Sequence, residues 1–233
     1  VERSRGLGDV YKRQVLKGVR GLGRMNKFSR NKDRAGSKSL RSLFLIIVEG
    51  ETEKAYFENN FRGPNIRLTV RSGKGPDPNS LVKEMDRQLE QLKSRRALRS
   101  KIDQAWIVLD RDNSSVEQLK VVFEWAESRG DRGVGYSCPQ FEYWLLLHFE
   151  DAKGVSTQQD CLTRINQHIP RYQKGNSGML RFSRDQIQSA VERADKRLPE
   201  VPKSIQELHD KMGQTTSLTT LHPLVTDLLK NTR

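Results

Sequence analysis

The stretch Leu43-Phe44-Leu45-Ile46-Ile47-Val48-Glu49-Gly50-Glu51-Thr52-Glu53-Lys54-Ala55-Tyr56-Phe57 decides the fold. Its first six residues are apolar without interruption and rich in branched side chains, the pattern of a strand buried on both faces. Gly50 then allows a tight turn. Thr52–Phe61 reads as a helix with Tyr56, Phe57 and Phe61 towards the core, stopped by Gly63-Pro64.

Working outward, the same alternation repeats. Ile66–Val70 reads as a second strand, and Arg71–Asn79, with two Gly and two Pro, as a loop. Ser80 is expected to cap an amphipathic helix carrying Leu81, Val82, Met85, Leu89 and Leu92 on one side. Ala105–Leu109 is the third strand, ending at Asp110. A helix follows, with Val116, Leu119, Val122, Phe123 and Ala126 at helical spacing. Gly133–Tyr136 is the fourth strand, and Pro139 opens an apolar helix over Phe141–Phe149. Four cycles of strand and helix predict an α/β fold, with an open, mostly parallel sheet and helices on both faces. From Asp151 onward the pattern is helical (Gln158–Gln167, Arg184–Arg197, Ser204–Lys211, Pro223–Leu229), with no strand expected. The expected organisation is therefore a leader over 1–41, an α/β core over 42–150 and a mainly helical extension over 151–233 packed on the core.

The chain has 233 residues and a net charge of +13. Residues 1–41 hold 13 Lys/Arg against three acids, a net +10, while the other 192 residues carry 29 basic and 26 acidic side chains, a net +3. The basicity belongs to the leader. Two readings of it stay open: a solvated disordered segment, or an arm that follows a phosphate backbone. Asp9–Gln14 resembles the translation of a transposon end used to build sequencing libraries, so residues 1–24 are read as adapter or upstream sequence, with Met25 the first internal start. No apolar run approaches the length that spans a bilayer, and no secretory pattern precedes Leu43. Cys138 and Cys161 cannot build a disulfide framework, which points to a reducing compartment, the cytoplasm.

Ligands of open parallel sheets collect at the carboxyl ends of the strands. Acids fall there from three segments: Glu49 and Glu53 after the first strand, Asp110 and Asp112 after the third, Glu142 after the fourth. Carboxylates without histidine suit a hard divalent cation, Mg2+ or Mn2+, whose shell is completed by phosphate oxygens. Each acid also has a plainer reading. Glu53 complements a helix N-terminus, Asp110 and Asp112 form a turn before the next helix, and Glu142 pairs with an arginine. His148 lies about 120° round the helix from Glu142 and is read as a packed core histidine. Gly73-Lys74-Gly75 lacks the rest of a P-loop, and there is no HExxH, CxxC or G-x-S-x-G motif.

Three blocks, Ile47–Phe57, Val108-Leu109-Asp110-Arg111-Asp112 and Ser137-Cys138-Pro139-Gln140-Phe141-Glu142-Tyr143-Trp144-Leu145-Leu146-Leu147-His148-Phe149, resemble the RloB-like family. These are small prokaryotic Toprim-domain proteins associated with restriction and phage-defence loci. The resemblance runs from about Leu43 to the end and implies a Toprim, Rossmann-like sheet. It further implies a Mg2+- or Mn2+-dependent nuclease hydrolysing phosphodiester bonds of DNA or RNA in phage defence by abortive infection. Glu49 matches the Toprim glutamate, and Asp110 and Asp112 the metal-binding pair. By similarity to the overcoming-lysogenization-defect nucleases, Glu53 and Glu142 join as ligands, and Lys174 in Tyr172-Gln173-Lys174-Gly175 neutralises a phosphate. Ser137 is a further candidate. The chain shows no ATPase domain, so nucleotide-driven control requires a separate ATPase partner. The competing reading is a non-catalytic module that docks on nucleic acid or on such an ATPase. A primase- or topoisomerase-like activity lacks its expected tyrosine or zinc-ribbon features.

Overall fold

Strand β1, Ser42–Val48, pairs in parallel with β2, Ile66–Ser72, on one side and with β3, Gln104–Asp110, on the other. Strand β4, Arg132–Cys138, lies parallel to β3, and β5, Leu218–Thr219, closes the sheet antiparallel to β4. The order is β2-β1-β3-β4-β5. In this computed structural model the described residues are 41–232, less 76, 99–102, 112–113 and 213–216, and for 177 and 212 the backbone alone. The basic leader, Arg41 excepted, and Asp112 therefore lie outside the described residues.

The alternation of side chains along β1 builds both layers at once. Phe44, Ile46 and Val48 point into one cluster, with Tyr56, Phe57 and Phe61 at helix α1 (Glu51–Asn60) and residues of α4 (Glu142–Leu146), α5 (Gln158–His168), α6 (Arg184–Arg197) and α8 (His222–Asn231). Leu45 and Ile47 point into the other, with α2 (Pro78–Ser94), α3 (Val116–Glu127) and α7 (Ile205–Met212). Burying each such side chain contributes about 1.5–3 kcal/mol at most. The segment after Asp151 thus supplies helices to both faces of the sheet.

Several expectations are corrected. Arg71 and Ser72 stay in register with Ile47 and Val48 as strand, and Pro78 is already helical, so the loop after β2 is shorter than Arg71–Asn79. The cap of α2 is Asp77. The Ser80 hydroxyl instead lies against the carbonyls of Gly75 and Asp77, at 2.9 and 2.6 Å. The apolar run Phe141–Phe149 is α-helical only over Glu142–Leu146; beyond it the chain tightens, with His148 N–H donating to Leu145 O and Phe149 N–H to Leu146 O. A strand does follow Asp151: β5 pairs Thr219 with Ser137 and Leu218 with Cys138.

His148 is a core residue, as its spacing suggests. Its Nδ1–H donates to Trp144 O at 3.1 Å, leaving Nε2 to accept from the Tyr56 hydroxyl at 3.1 Å. Burial pushes its pKa down to about 3.

Candidate metal centre

The chain runs from β1 outward to β2, then returns past β1 to β3, so the carboxyl ends of β1 and β3 flank the topological switch point. Glu49 follows β1 directly and Asp110 is the last residue of β3. The Asp110 N–H donates to Glu49 Oε2 at 3.2 Å, which bridges the switch point. Glu53 lies in the first turn of α1 and is buried. A Cβ on Gly50, the N-cap, would stand 2.9 Å from Glu53 Oε2, so the glycine leaves room for that carboxylate to fold back over the turn. Glu51, between the two, turns away: it is exposed and accepts from the Ser72 hydroxyl at 2.6 Å and from Lys54 at 3.2 Å, and these bonds hold its pKa low.

Glu142 opens α4 and is 1% exposed. No arginine answers it among the described residues. Its Oε1 accepts from the Tyr172 hydroxyl at 2.8 Å and its Oε2 lies 3.5 Å from Lys174 Nζ. The loop that carries Lys174 is tied to α1, where Gly175 N–H donates to Thr52 Oγ1 at 2.8 Å. Lys174, far from the carboxylates in sequence, therefore stands at the same edge. Ser137 stands beside Asp110 in the register of β3 and β4, but it is fully buried and its hydroxyl lies 3.2 Å from that of Thr219 in the seam between β4 and β5. Asp112 lies outside the described residues.

The four described carboxylates act on one another. Burial, then the charges of Glu142 and Glu49, push Glu53 up to about 7 against the pull of its own backbone N–H and of Lys174. Burial and Glu53, then Glu142 and Glu49, push Asp110 well above its ordinary value, the Phe141 N–H opposing. The Oδ1 of Asp110 is buried with no hydrogen-bond partner among the described residues. An unpaired buried carboxylate oxygen is costly unless a cation meets it. On chemistry the donor set fits a hard divalent cation: oxygen ligands only, excess negative charge and one orphaned oxygen. Among the described residues no three His, Cys, Asp or Glu side chains stand grouped to hold an ion. The edge is thus an electrostatic cluster rather than a finished coordination sphere. Cavities of about 280 and 510 Å³ open elsewhere, at the amino end of the strands, beside Gln104 and Gly133.

Sequence reasoning found the carboxylates because strand ends are legible. It missed Tyr172 and Thr52, whose roles depend on how the loop after α5 and the first turn of α1 fold back on the edge, and it read Gly50 for its turn but not for the room it leaves Glu53. The only hint was Tyr172 two residues before Lys174, a spacing that puts both side chains on one side of an extended segment.

A family model described as RloB-like protein matches residues 44–228. The chain belongs to the RloB-like family. The RloB-like span runs from β1 to α8 and includes Glu49, Glu53, Asp110, Glu142, Tyr172 and Lys174. No curated protein and no solved structure matches the chain. Among the described residues no helix is long and apolar enough to cross a membrane.

Proposed function

We propose that the chain is a divalent-cation-dependent phosphodiester hydrolase acting on nucleic acid. Glu49, Glu53, Asp110 and Glu142 would hold Mg2+ or Mn2+, and the Toprim resemblance adds Asp112. The observation that carries the reading is the joining of Glu49 and Asp110 across the switch point, with Asp110 Oδ1 buried and without a hydrogen-bond partner among the described residues. Such a cation, when bound, offsets charge on a phosphate and lowers the pKa of water.

The chain's own residues prepare this edge. Glu49 fastens the end of β3 through the Asp110 N–H, so two ligands on neighbouring strands share one frame. The Tyr172 hydroxyl orients Glu142, and Lys174, half exposed, presents a positive charge at the rim. Burial of Glu53 and Asp110 leaves them poorly neutralised, which favours a cation over water at that position. A place in phage defence and a separate ATPase partner are carried by the family resemblance.

The test is incubation of the full chain with labelled single- and double-stranded DNA and RNA, with Mn2+ or with EDTA, beside Asp110→Asn. The wild type should cut at least one substrate, only with the cation, and the variant should not. Cutting by Asp110→Asn at the wild-type rate would sink the reading, and binding without cutting favours the docking module.

A further inference from the structure

A single strap between α5 and α6 supplies partners to both oxygens of Glu142. The Tyr172 hydroxyl donates to Oε1 at 2.8 Å and the Lys174 ammonium lies 3.5 Å from Oε2. Two backbone bonds fix the strap at either side. Tyr172 N–H donates to Asn166 Oδ1 at 3.0 Å, and Gly175 N–H donates to Thr52 Oγ1 at 2.8 Å. Gly175 has φ +77°, a left-handed conformation that glycine adopts at no steric cost.

The two partners differ in kind. Tyr172 is 6% exposed, whereas the Lys174 side chain is 51% exposed. The hydroxyl is therefore the anchor and the ammonium is the end free to leave. An ammonium and a divalent cation cannot share one carboxylate oxygen without repelling each other at close range.

We infer that Lys174 is the resident counter-ion of the carboxylate centre and competes with a divalent cation for Glu142. Arrival of the cation releases the lysine to the solvent-facing rim, where a substrate phosphate can meet it. Tyr172 holds Glu142 in place through the exchange. The inference rests on the cation-dependent reading given above.

The test is a calorimetric Mn2+ titration of the full chain as wild type, Lys174→Met, Lys174→Arg, Tyr172→Phe and Lys54→Met, with melting in EDTA alongside. Lys54 serves as control because it pairs with Glu51, not Glu142. Lys174→Met should bind Mn2+ about two- to fivefold tighter than wild type, the scale of a half-exposed ion pair, and should melt lower in EDTA. Lys174→Arg and Lys54→Met should stay within about twofold of wild type, and Tyr172→Phe should bind more weakly. Binding by Lys174→Met no tighter than wild type overturns the competition while leaving the cation reading standing. Equal tightening in Lys54→Met overturns it too, by showing a general effect of surface charge. If neither wild type nor Lys174→Met binds Mn2+, the cation reading fails and the competition fails with it.

Discussion

Glu51 and Glu53 sit two residues apart and end in opposite environments, one paired in water, the other buried among like charges. That contrast sets a pH dependence. Glu53 has its folded pKa raised from 4.5 to about 7, so between those values the folded state holds a proton that the unfolded chain has lost. The contribution of Glu53 to stability should therefore fall as pH rises from about 4.5 towards 7 and level off above it, while His148, whose pKa burial lowers from 6.5 to about 3, and His222, lowered by burial too, act in the opposite sense below about pH 6.5. Glu53→Gln should remove this share of the slope of stability against pH, while Asp110, shifted in the same direction, keeps its own. Denaturant melts at pH 5 and pH 8 check it; a slope unchanged in Glu53→Gln contradicts it. Removing charge at Asp110 should relieve the same repulsion. Asp110→Asn should be more stable than wild type at pH 8 by about 0.5–2 kcal/mol while losing activity, a trade common at functional sites. A lower melting temperature for Asp110→Asn would mean that the carboxylate is structurally satisfied.

At the scale of elements, the end of β4 is held by Thr220, just after β5. Tyr136 N–H donates to Thr220 Oγ1 at 2.8 Å, and that hydroxyl donates to Val134 O at 3.0 Å. Thr220→Val keeps the shape and removes both bonds, leaving buried groups unpaired. It should cost about 1–3 kcal/mol, read as a fall in denaturant midpoint. No change would show that other groups satisfy β4. This element was invisible in the sequence, because two residues carry no periodicity and their pairing is set by packing about 80 residues away from β4. The first strand and α1 were legible for the opposite reason: a six-residue apolar run has one interpretation, and Tyr56, Phe57 and Phe61 then have only one place to go. The apolar run after Pro139 misled by its length. Hydrophobicity marks Phe141–Phe149 as buried, but only Glu142–Leu146 repeats α-helical bonds. The centre divides in the same way. Its carboxylates could be read from strand ends, whereas Tyr172 could not, since its bond to Glu142 spans 30 positions and a whole helix.

Over the whole molecule, charge is divided unevenly along the sequence. The described body from β1 onward is close to neutral in sequence, and the leader over 1–41 carries a net +10. If the leader meets nucleic acid, deleting residues 1–41 should weaken binding and flatten its dependence on salt, since each phosphate contact contributes to the slope. An unchanged slope would move the contacts to the folded body. The order β2-β1-β3-β4-β5 sends the chain both ways from β1, and the charges of Glu49, Glu53, Asp110 and Glu142 act on one another where it divides. The most direct test of a cation centre there is calorimetric titration of Mg2+ and Mn2+ into the full chain, wild type beside Asp110→Asn. Binding by the wild type that is lost or weakened at least about tenfold in the variant is the predicted result. Equal binding by both proteins would contradict it and place the cation elsewhere.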